Sequence, residues 1–171
     1  IENRMLLKAE HMRAGESLGN WIALNEVVVG RGQNLRPVRL TASVDEHRLT
    51  SYMADGLIAS TPTGSTAYAL AAGGPILPPE LRNILLVPIA PHLSVDRAVV
   101  LSEGSSVDIE VKSENTVLSV DGQAPINLME DDHVLITASD VTAQFVRFGD
   151  AGYFYRNITY HMNQNSLGLP R

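Results

Sequence analysis

The sequence predicts a mainly β fold, two packed antiparallel sheets with a few short helices. Three observations carry that expectation. Apolar residues recur mostly at every second position, which is the period of half-buried strands. The runs are short and are separated by Pro, Gly, Asn, Asp or Ser, the residues that punctuate turns. Helical pattern is scarce, so the strand–helix alternation that builds a parallel sheet is missing. Eight or nine short strands of this kind make two packed sheets, or the same strands curled into a distorted barrel.

Taken in chain order, Trp21-Ile22-Ala23-Leu24 and Val27-Val28-Val29 read as one apolar strand interrupted by Asn25-Glu26. Consecutive strand positions face opposite sides, so at least one of these polar groups enters the core or a cleft and needs a partner there. An edge strand with Glu26 in water is the plain alternative. From Val38 to Val44 every second side chain is apolar, Asp45-Glu46-His47 turns the chain, and Arg48 to Tyr52 returns as the second arm of a hairpin. Leu57-Ile58-Ala59 is a buried strand. Pro62 and Gly64 force a tight turn, Ser65 or Thr66 caps a helical stretch from Thr66 to Ala72, and Gly73-Gly74-Pro75 stops it. Glu80–Asn83 and Tyr153–Tyr160 are the other helical candidates. Strands are expected at Ile84–Ile89, Ala98–Leu101, Val107–Val111, Val117–Val120, His133–Ala138 and Val141–Phe148, and Asp121-Gly122-Gln123 reads first as a turn. This gives one β-rich domain over residues 1–162, then a polar tail over 163–171 that is disordered or docked on a partner.

Composition narrows the function. A chain of 171 residues is long enough to bury one core without a covalent staple. It has no cysteine, which removes disulfides, thiol nucleophiles and thiolate metal sites and suits a cytoplasmic location. A formal net charge of −6 is the wrong sign for tracking nucleic-acid phosphates or anionic lipid, so neither nucleic acid nor membrane is expected as a partner. No apolar run approaches the roughly 20 residues of a membrane span. The first residue is Ile1 rather than Met, so the numbering is expected to begin inside a longer reading frame.

The richest segment is Asp55 to Pro75. The hydroxyls of Thr61, Thr63, Ser65 and Thr66, the N–H groups at the start of the helix and the ring of Tyr68 can hold a nucleotide's polar edge and base; a structural turn capped by hydroxyls explains the same residues. No lysine follows Gly64, as a phosphate-cradling Walker loop requires, and the glycines lie off the Rossmann spacing. Gly64-Ser65-Thr66-Ala67-Tyr68 lacks the second glycine of a nucleophile elbow. The histidines at 11, 47, 92, 133 and 161 show no metal-ligand spacing. Asn25-Glu26, by contrast, sets a carboxamide beside a carboxylate, a pair suited to vicinal ribose hydroxyls.

DGLIASTPTGSTAYALAAGGPI at Asp55–Ile76, with NEVVV about 30 residues before it, PIAPH after it and VDGQ further on, closely resembles the C-terminal domain of NAD kinases. The resemblance runs from about Arg4 to about Phe148. It implies transfer of a phosphoryl group from ATP, or from polyphosphate, to the 2′-hydroxyl of the adenosine ribose of NAD, giving NADP, with Mg²⁺ accompanying ATP in the full-length enzyme. It implies that Asn25 and Glu26 contact NAD, with Asn25 near the reacting ribose, and that Asp55 binds a polar edge in a pocket often shared with a neighbouring subunit. Thr66, Ala67 and Tyr68 would receive adenine and ribose, and Ala69, Leu70 and Ala71 would complete that turn. Ala90 would lie near the nicotinamide or adenine edge and Gln123 at the mouth of the site. Homodimers or homotetramers follow from the same resemblance.

The departures are specific. Met53 stands where many members have Arg, Ala71 where Ser is usual, and Tyr153–Gln164 matches poorly. The family's Gly-Gly-Asp-Gly-Thr motif, which carries the catalytic aspartate and grips the donor phosphates, is nowhere in the chain. It belongs to an N-terminal α/β domain that would precede Ile1, so the chain alone is expected to bind and not to catalyse, and no catalytic residue is assigned within it. A lipid kinase of the same superfamily and a non-catalytic nucleotide-binding or oligomerisation module are the alternatives. The hydroxyl-rich pocket segment disfavours the long apolar channel that a lipid would need.

Overall fold

The structure, a computed structural model, describes residues 1–33, 35–92, 96–148 and 152–158. Among the described residues twelve strands form two antiparallel sheets of six. The first runs β2 (Glu16–Ala23), β1 (Glu2–Arg13), β12 (His133–Phe145), β9 (Val107–Val111), β4 (Val38–Val44), β5 (His47–Ala54). The second runs β11 (Ile126–Leu128), β10 (Thr116–Val120), β3 (Glu26–Arg31), β6 (Gly56–Ser60), β7 (Asn83–Ile89), β8 (Val99–Ser102). Their facing sides share one core. Leu7, Leu40, Tyr52, Ile109 and Ile136 of the first sheet belong to the same buried cluster as Val29, Leu57, Ile84, Leu86 and Leu118 of the second. Each such aliphatic side chain contributes roughly 1.5–3 kcal/mol by leaving water.

Strand β6 is buried at all five positions, because it is sandwiched on both faces. Leu57 and Ala59 face the inter-sheet core. Ile58 points the other way, into a smaller cluster with Leu85, Val87 and Ala69. Ala69 belongs to helix α1 (Tyr68–Ala71), which therefore sits on the outer face of the second sheet.

Several sequence expectations change. The apolar stretch around Asn25-Glu26 is two strands in different sheets, since the chain crosses from β2 to β3 over Leu24 and Asn25. His133–Ala138 and Val141–Phe148 merge into the single strand β12, and residues beyond Phe145 lie outside it. What looked like a break is a bulge: the pairing with β1 jumps from Met5–Thr142 to Leu7–Ala138, with extra β12 residues opposite Leu6. Glu80–Asn83 is not helical; Leu81 N–H closes a turn on Pro78 O at 3.0 Å and Asn83 already belongs to β7. Strands β1 and β11 were not anticipated. A helix covers 153–158, while positions 159–160 of that candidate and the 163–171 tail lie outside the described residues. The Val38–Tyr52 hairpin forms as expected, on a turn at Asp45 and Glu46 that both take positive φ (49° and 66°). Among the described residues no helix is long and apolar enough to cross a membrane.

Candidate functional site

The crossing from β2 to β3 leaves Leu24 and Asn25 outside both strands, with Glu26 opening β3 opposite Ser60, and side chains supply much of the hydrogen bonding of these three residues. The Asp121 carboxylate accepts from the N–H groups of Leu24 (2.7 Å), Asn25 (2.8 Å) and Glu26 (3.0 Å). Thr61 Oγ1 donates to Leu24 O at 2.6 Å. Thr61 N–H and Ser60 Oγ donate to Asn25 O at 2.9 and 3.1 Å, and Asp121 N–H donates to Glu26 O at 3.0 Å. Each backbone N–H and C=O of the three residues thus has a partner, the condition for holding irregular backbone at the edge of a core. Asp121 achieves this from a tight turn: it and Gly122 both have positive φ (47° and 69°), and Gln123 N–H closes on Val120 O at 2.9 Å.

Packed against this crossing is the Thr61–Gly74 loop and helix. Thr61, fully buried, also accepts from Gly64 N–H at 3.0 Å. Gly64 lies so close to the crossing that a Cβ there would fall 2.1 Å from Asn25 O. Residues Gly64–Thr66 form one 3₁₀ turn and α1 follows after Ala67. The expected hydroxyl cap is absent: neither turn has a side-chain cap, and the helical segment is four residues rather than Thr66 to Ala72. Ser65 instead ties the loop to the segment beyond the helix. Its Oγ donates to Pro62 O at 2.7 Å and accepts from Leu77 N–H at 2.9 Å. Ser65→Ala is expected to cost about 1–2 kcal/mol, because the part-buried Leu77 N–H loses its acceptor and Pro62 O keeps only the longer Ser65 N–H bond at 3.3 Å, read as a fall in the chemical denaturation midpoint. The stop is as expected: Gly73, at φ 87°, places Gly74 N–H on Ala69 O (2.9 Å) and its own N–H on Leu70 O (3.0 Å), the paired closure of a glycine C-cap.

Glu26 opens β3 and is 9% exposed, and its Oε2 is buried with no hydrogen-bond partner. Burial raises its carboxyl pKa, the charge of Asp121 adds to the rise, and the Tyr68 backbone N–H opposes part of it. A buried carboxylate oxygen without a partner is an exception among native structures and marks a place where another donor fits. The N–H donors expected at the helix start are therefore mostly committed, Tyr68 to Glu26 and Ala67 to Gly64 O at 2.9 Å.

The other anticipated residues fall around this pair. Tyr68 is exposed and shares a groove of about 490 Å³ with Val28, Arg31, Asp55, Ile89 and Ser119. Asp55 is ion-paired there with Arg31 Nε at 3.2 Å. Thr66 and Leu70 line a second groove of about 490 Å³ on the other side of the loop, with Arg4, Thr63, Arg147 and Phe154. Arg4 donates to Thr63 Oγ1 at 3.1 Å there. Ala69 is fully buried in the outer cluster, while Ala67 and Ala71 are exposed on the turn. Ala90, at φ 45°, is exposed just beyond β7, and Gln123 is exposed at the β10–β11 turn. Neither Ala90 nor Gln123 lines the two grooves. The sequence marks Asp121 only as a turn residue and gives no sign of Ser60 or Arg4, and the Thr61 hydroxyl, expected to face a ligand, is buried and committed to Leu24 O and Gly64 N–H. Of Asp121, Ser60 and Arg4, only Asp121 had a local signal, the Asp-Gly pair.

Two packed antiparallel sheets, with a hydroxyl-rich loop and short helix closed over an unpaired buried carboxylate, define a β-domain carrying a polar cleft where the chain changes sheets. Residues 24–148 match the ATP-NAD kinase C-terminal domain, and the chain belongs to the NAD kinase family. The NAD kinase of Chloroflexus aggregans is 41% identical over 166 residues, which cover 96% of this chain and 60% of that protein. The NAD kinase of Heliobacterium modesticaldum is 42% identical over 156 residues, 90% of this chain and 55% of that protein. The chain thus spans 55–60% of the length of these curated relatives. Among solved structures, yeast NADH kinase complexed with NADH superposes with a TM-score of 0.86 at 31% identity, covering 96% of this chain and 49% of that one. An NAD kinase from Archaeoglobus fulgidus in complex with ATP gives 0.76 at 26% identity, covering 95% and 61%.

Proposed function

We propose that this chain is the dinucleotide-binding part of a kinase that phosphorylates the adenosine-ribose 2′-hydroxyl of NAD, with ATP or polyphosphate as donor. The observation that carries the reading is Glu26 Oε2, a buried acceptor with no partner beside Asn25 and Tyr68. A ribose hydroxyl would satisfy it, Asn25 would lie near the reacting hydroxyl, and the Tyr68 ring would offer a stacking face. The likeness to an NADH kinase complexed with NADH supports the dinucleotide, and the likeness to an NAD kinase in complex with ATP supports the donor. Among the described residues no group of three or more His, Cys, Asp or Glu fits a metal ion, so Mg²⁺ would arrive with the donor and be held elsewhere. Transfer itself needs residues that position the donor phosphates, so the chain alone is proposed to bind NAD without turning it over. The family match leaves the lipid-kinase alternative without support.

Glu26→Gln tests this directly. Replacing a charged acceptor by a neutral one is expected to weaken NAD binding roughly 10- to 100-fold by calorimetric titration. The same variant should melt at or above the wild-type temperature near neutral pH. The folded-state pKa of Glu26 is raised, so its ionisation opposes folding, by an amount that is absent below the unfolded pKa and grows as pH rises through the folded one. The stabilisation by glutamine should therefore vanish in acid. A melt lowered by several degrees with unchanged NAD affinity would assign Glu26 to the fold. A homodimer or homotetramer, in the cytoplasm, is also proposed, since Asp55 and Ala90 belong to pockets shared between subunits in the resemblance. Sedimentation showing a strict monomer at tens of micromolar, a common working range, would remove that carry-over.

A further inference from the structure

We propose that Asp121 is a positioning residue of the dinucleotide site, holding Asn25 and Glu26 in place through three consecutive backbone N–H groups. The inference rests on the NAD-binding reading above. It starts from geometry: one carboxylate reaches Leu24, Asn25 and Glu26 N–H at 2.7, 2.8 and 3.0 Å, and the Asp121 N–H returns a bond to Glu26 O at 3.0 Å. The two segments are clamped reciprocally, although 95 to 97 residues separate them in the chain. Hydrogen bonds from neutral N–H groups to a charged acceptor are roughly twice as strong as neutral ones, so this side of the crossing is held more firmly than the Thr61 side. The turn that carries Asp121 also carries Gln123, two residues on, so the clamp fixes that turn against the crossing.

The carboxylate does a second thing that a merely structural clamp would not. Asp121 is the charged group that raises the pKa of Glu26 beyond the effect of burial, and the Tyr68 N–H is the polar group that opposes it. Its charge thus bears on the protonation of the acceptor whose backbone it holds. Thr61 grips the same backbone from the other side, with Oγ1 on Leu24 O at 2.6 Å, and carries no charge. The pair of side chains separates position from charge.

The experiment compares Asp121→Asn with Thr61→Val in the 171-residue chain. Three readouts are taken: amide hydrogen exchange at positions 24–26, the Glu26 carboxyl titration followed by carbon NMR, and NAD affinity by calorimetry. In Asp121→Asn the three amides are expected to lose protection, the Glu26 midpoint to move to lower pH, and the NAD dissociation constant to rise about tenfold or more. In Thr61→Val the Glu26 midpoint should stay at its wild-type position. Should Asp121→Asn not fold, Asp121→Ser, which retains one neutral acceptor, carries the same comparison. An Asp121 variant that binds NAD as tightly as wild type overturns the proposal, as does an equal displacement of the Glu26 midpoint in both variants. A wild-type chain that does not bind NAD removes the dinucleotide reading and the positioning role together, and is distinguished by failing before any substitution is made.

Discussion

Gly64→Ala is expected to be the most damaging of the glycine-to-alanine changes at the described positions. The new Cβ would sit 2.1 Å from Asn25 O, 2.5 Å from its carbonyl carbon and 2.6 Å from its Cα, all backbone atoms that no rotamer change can clear. Overpacking a well-filled site costs typically about 1–3 kcal/mol. Here the backbone that must retreat is the segment pinned by Asp121, Thr61 and Ser60, so several hydrogen bonds of about 1 kcal/mol each are put at risk as well. A loss of about 3–5 kcal/mol follows, a large share of the 5–15 kcal/mol that stabilises a typical domain. For a domain of this size the melting temperature should fall by roughly 6–20 °C. NAD affinity should fall with it, because the displaced residues are Asn25 and, through it, Glu26. A melt within a degree or two of wild type would mean that the crossing is far softer than its hydrogen bonding indicates.

Asp132→Asn is expected to have the second-largest effect, on the opposite side of the molecule's chemistry. The Asp132 side chain is fully buried near the β1–β12 pairing and accepts from four donors. Arg13 Nε and Nη2 lie at 2.7 and 2.8 Å, His11 Nε2 at 2.7 Å and Met129 N–H at 2.8 Å. The Arg13 hydrogen bonds dominate in holding its carboxyl far below the usual carboxylate range, against burial, with help from Met129 N–H and His11. Because the folded pKa is depressed, the stability from this group is present above the unfolded carboxylate pKa and is lost as pH falls below it. An asparagine turns an N–H₂ toward one of the donors and removes the charge, at a cost of about 3 kcal/mol for breaking a buried ionic cluster. Urea denaturation across pH is the measurement: wild type should lose stability steeply in acid, and the variant should be weaker at neutral pH with a flatter acid limb. Parallel pH profiles in the two proteins would exclude Asp132 as the origin of the acid sensitivity.

The strand content was legible because alternation survives wherever one face of a strand meets the core, as in Val38–Val44 and Val107–Val111. The exceptions have identifiable physics. Leu6-Leu7 puts two buried residues side by side because β12 bulges opposite them, so β1 lacked a clean period of two. Asn25-Glu26 correctly announced polar groups entering a buried region, yet periodicity cannot say that the residues before and after belong to different sheets. Ser65 carries the composition of a helix cap, and only the return of the chain to Leu77 gives its hydroxyl a different target. Asp121 was visible as the first residue of an Asp-Gly turn, while its role depends on N–H groups 95 to 97 residues earlier, beyond the reach of any local pattern. The site was thus read through its ligand-facing side chains and missed through its supports.

The pairing of β1 with β12 brings Glu2 alongside Phe145 and Met12 alongside His133. Such a sheet cannot be completed in the order in which the chain is made. The β1–β2 hairpin can close on itself early, since Arg13 pairs with Glu16. Its other edge must stay open during synthesis until β12 has left the ribosome, and β9, which can already pair with β4, keeps its second edge open until the same arrival. Contacts of such long sequence separation make folding slow and leave a bare strand edge exposed to other nascent chains. Lys8, exposed on β1, is a residue type that discourages that kind of mispairing.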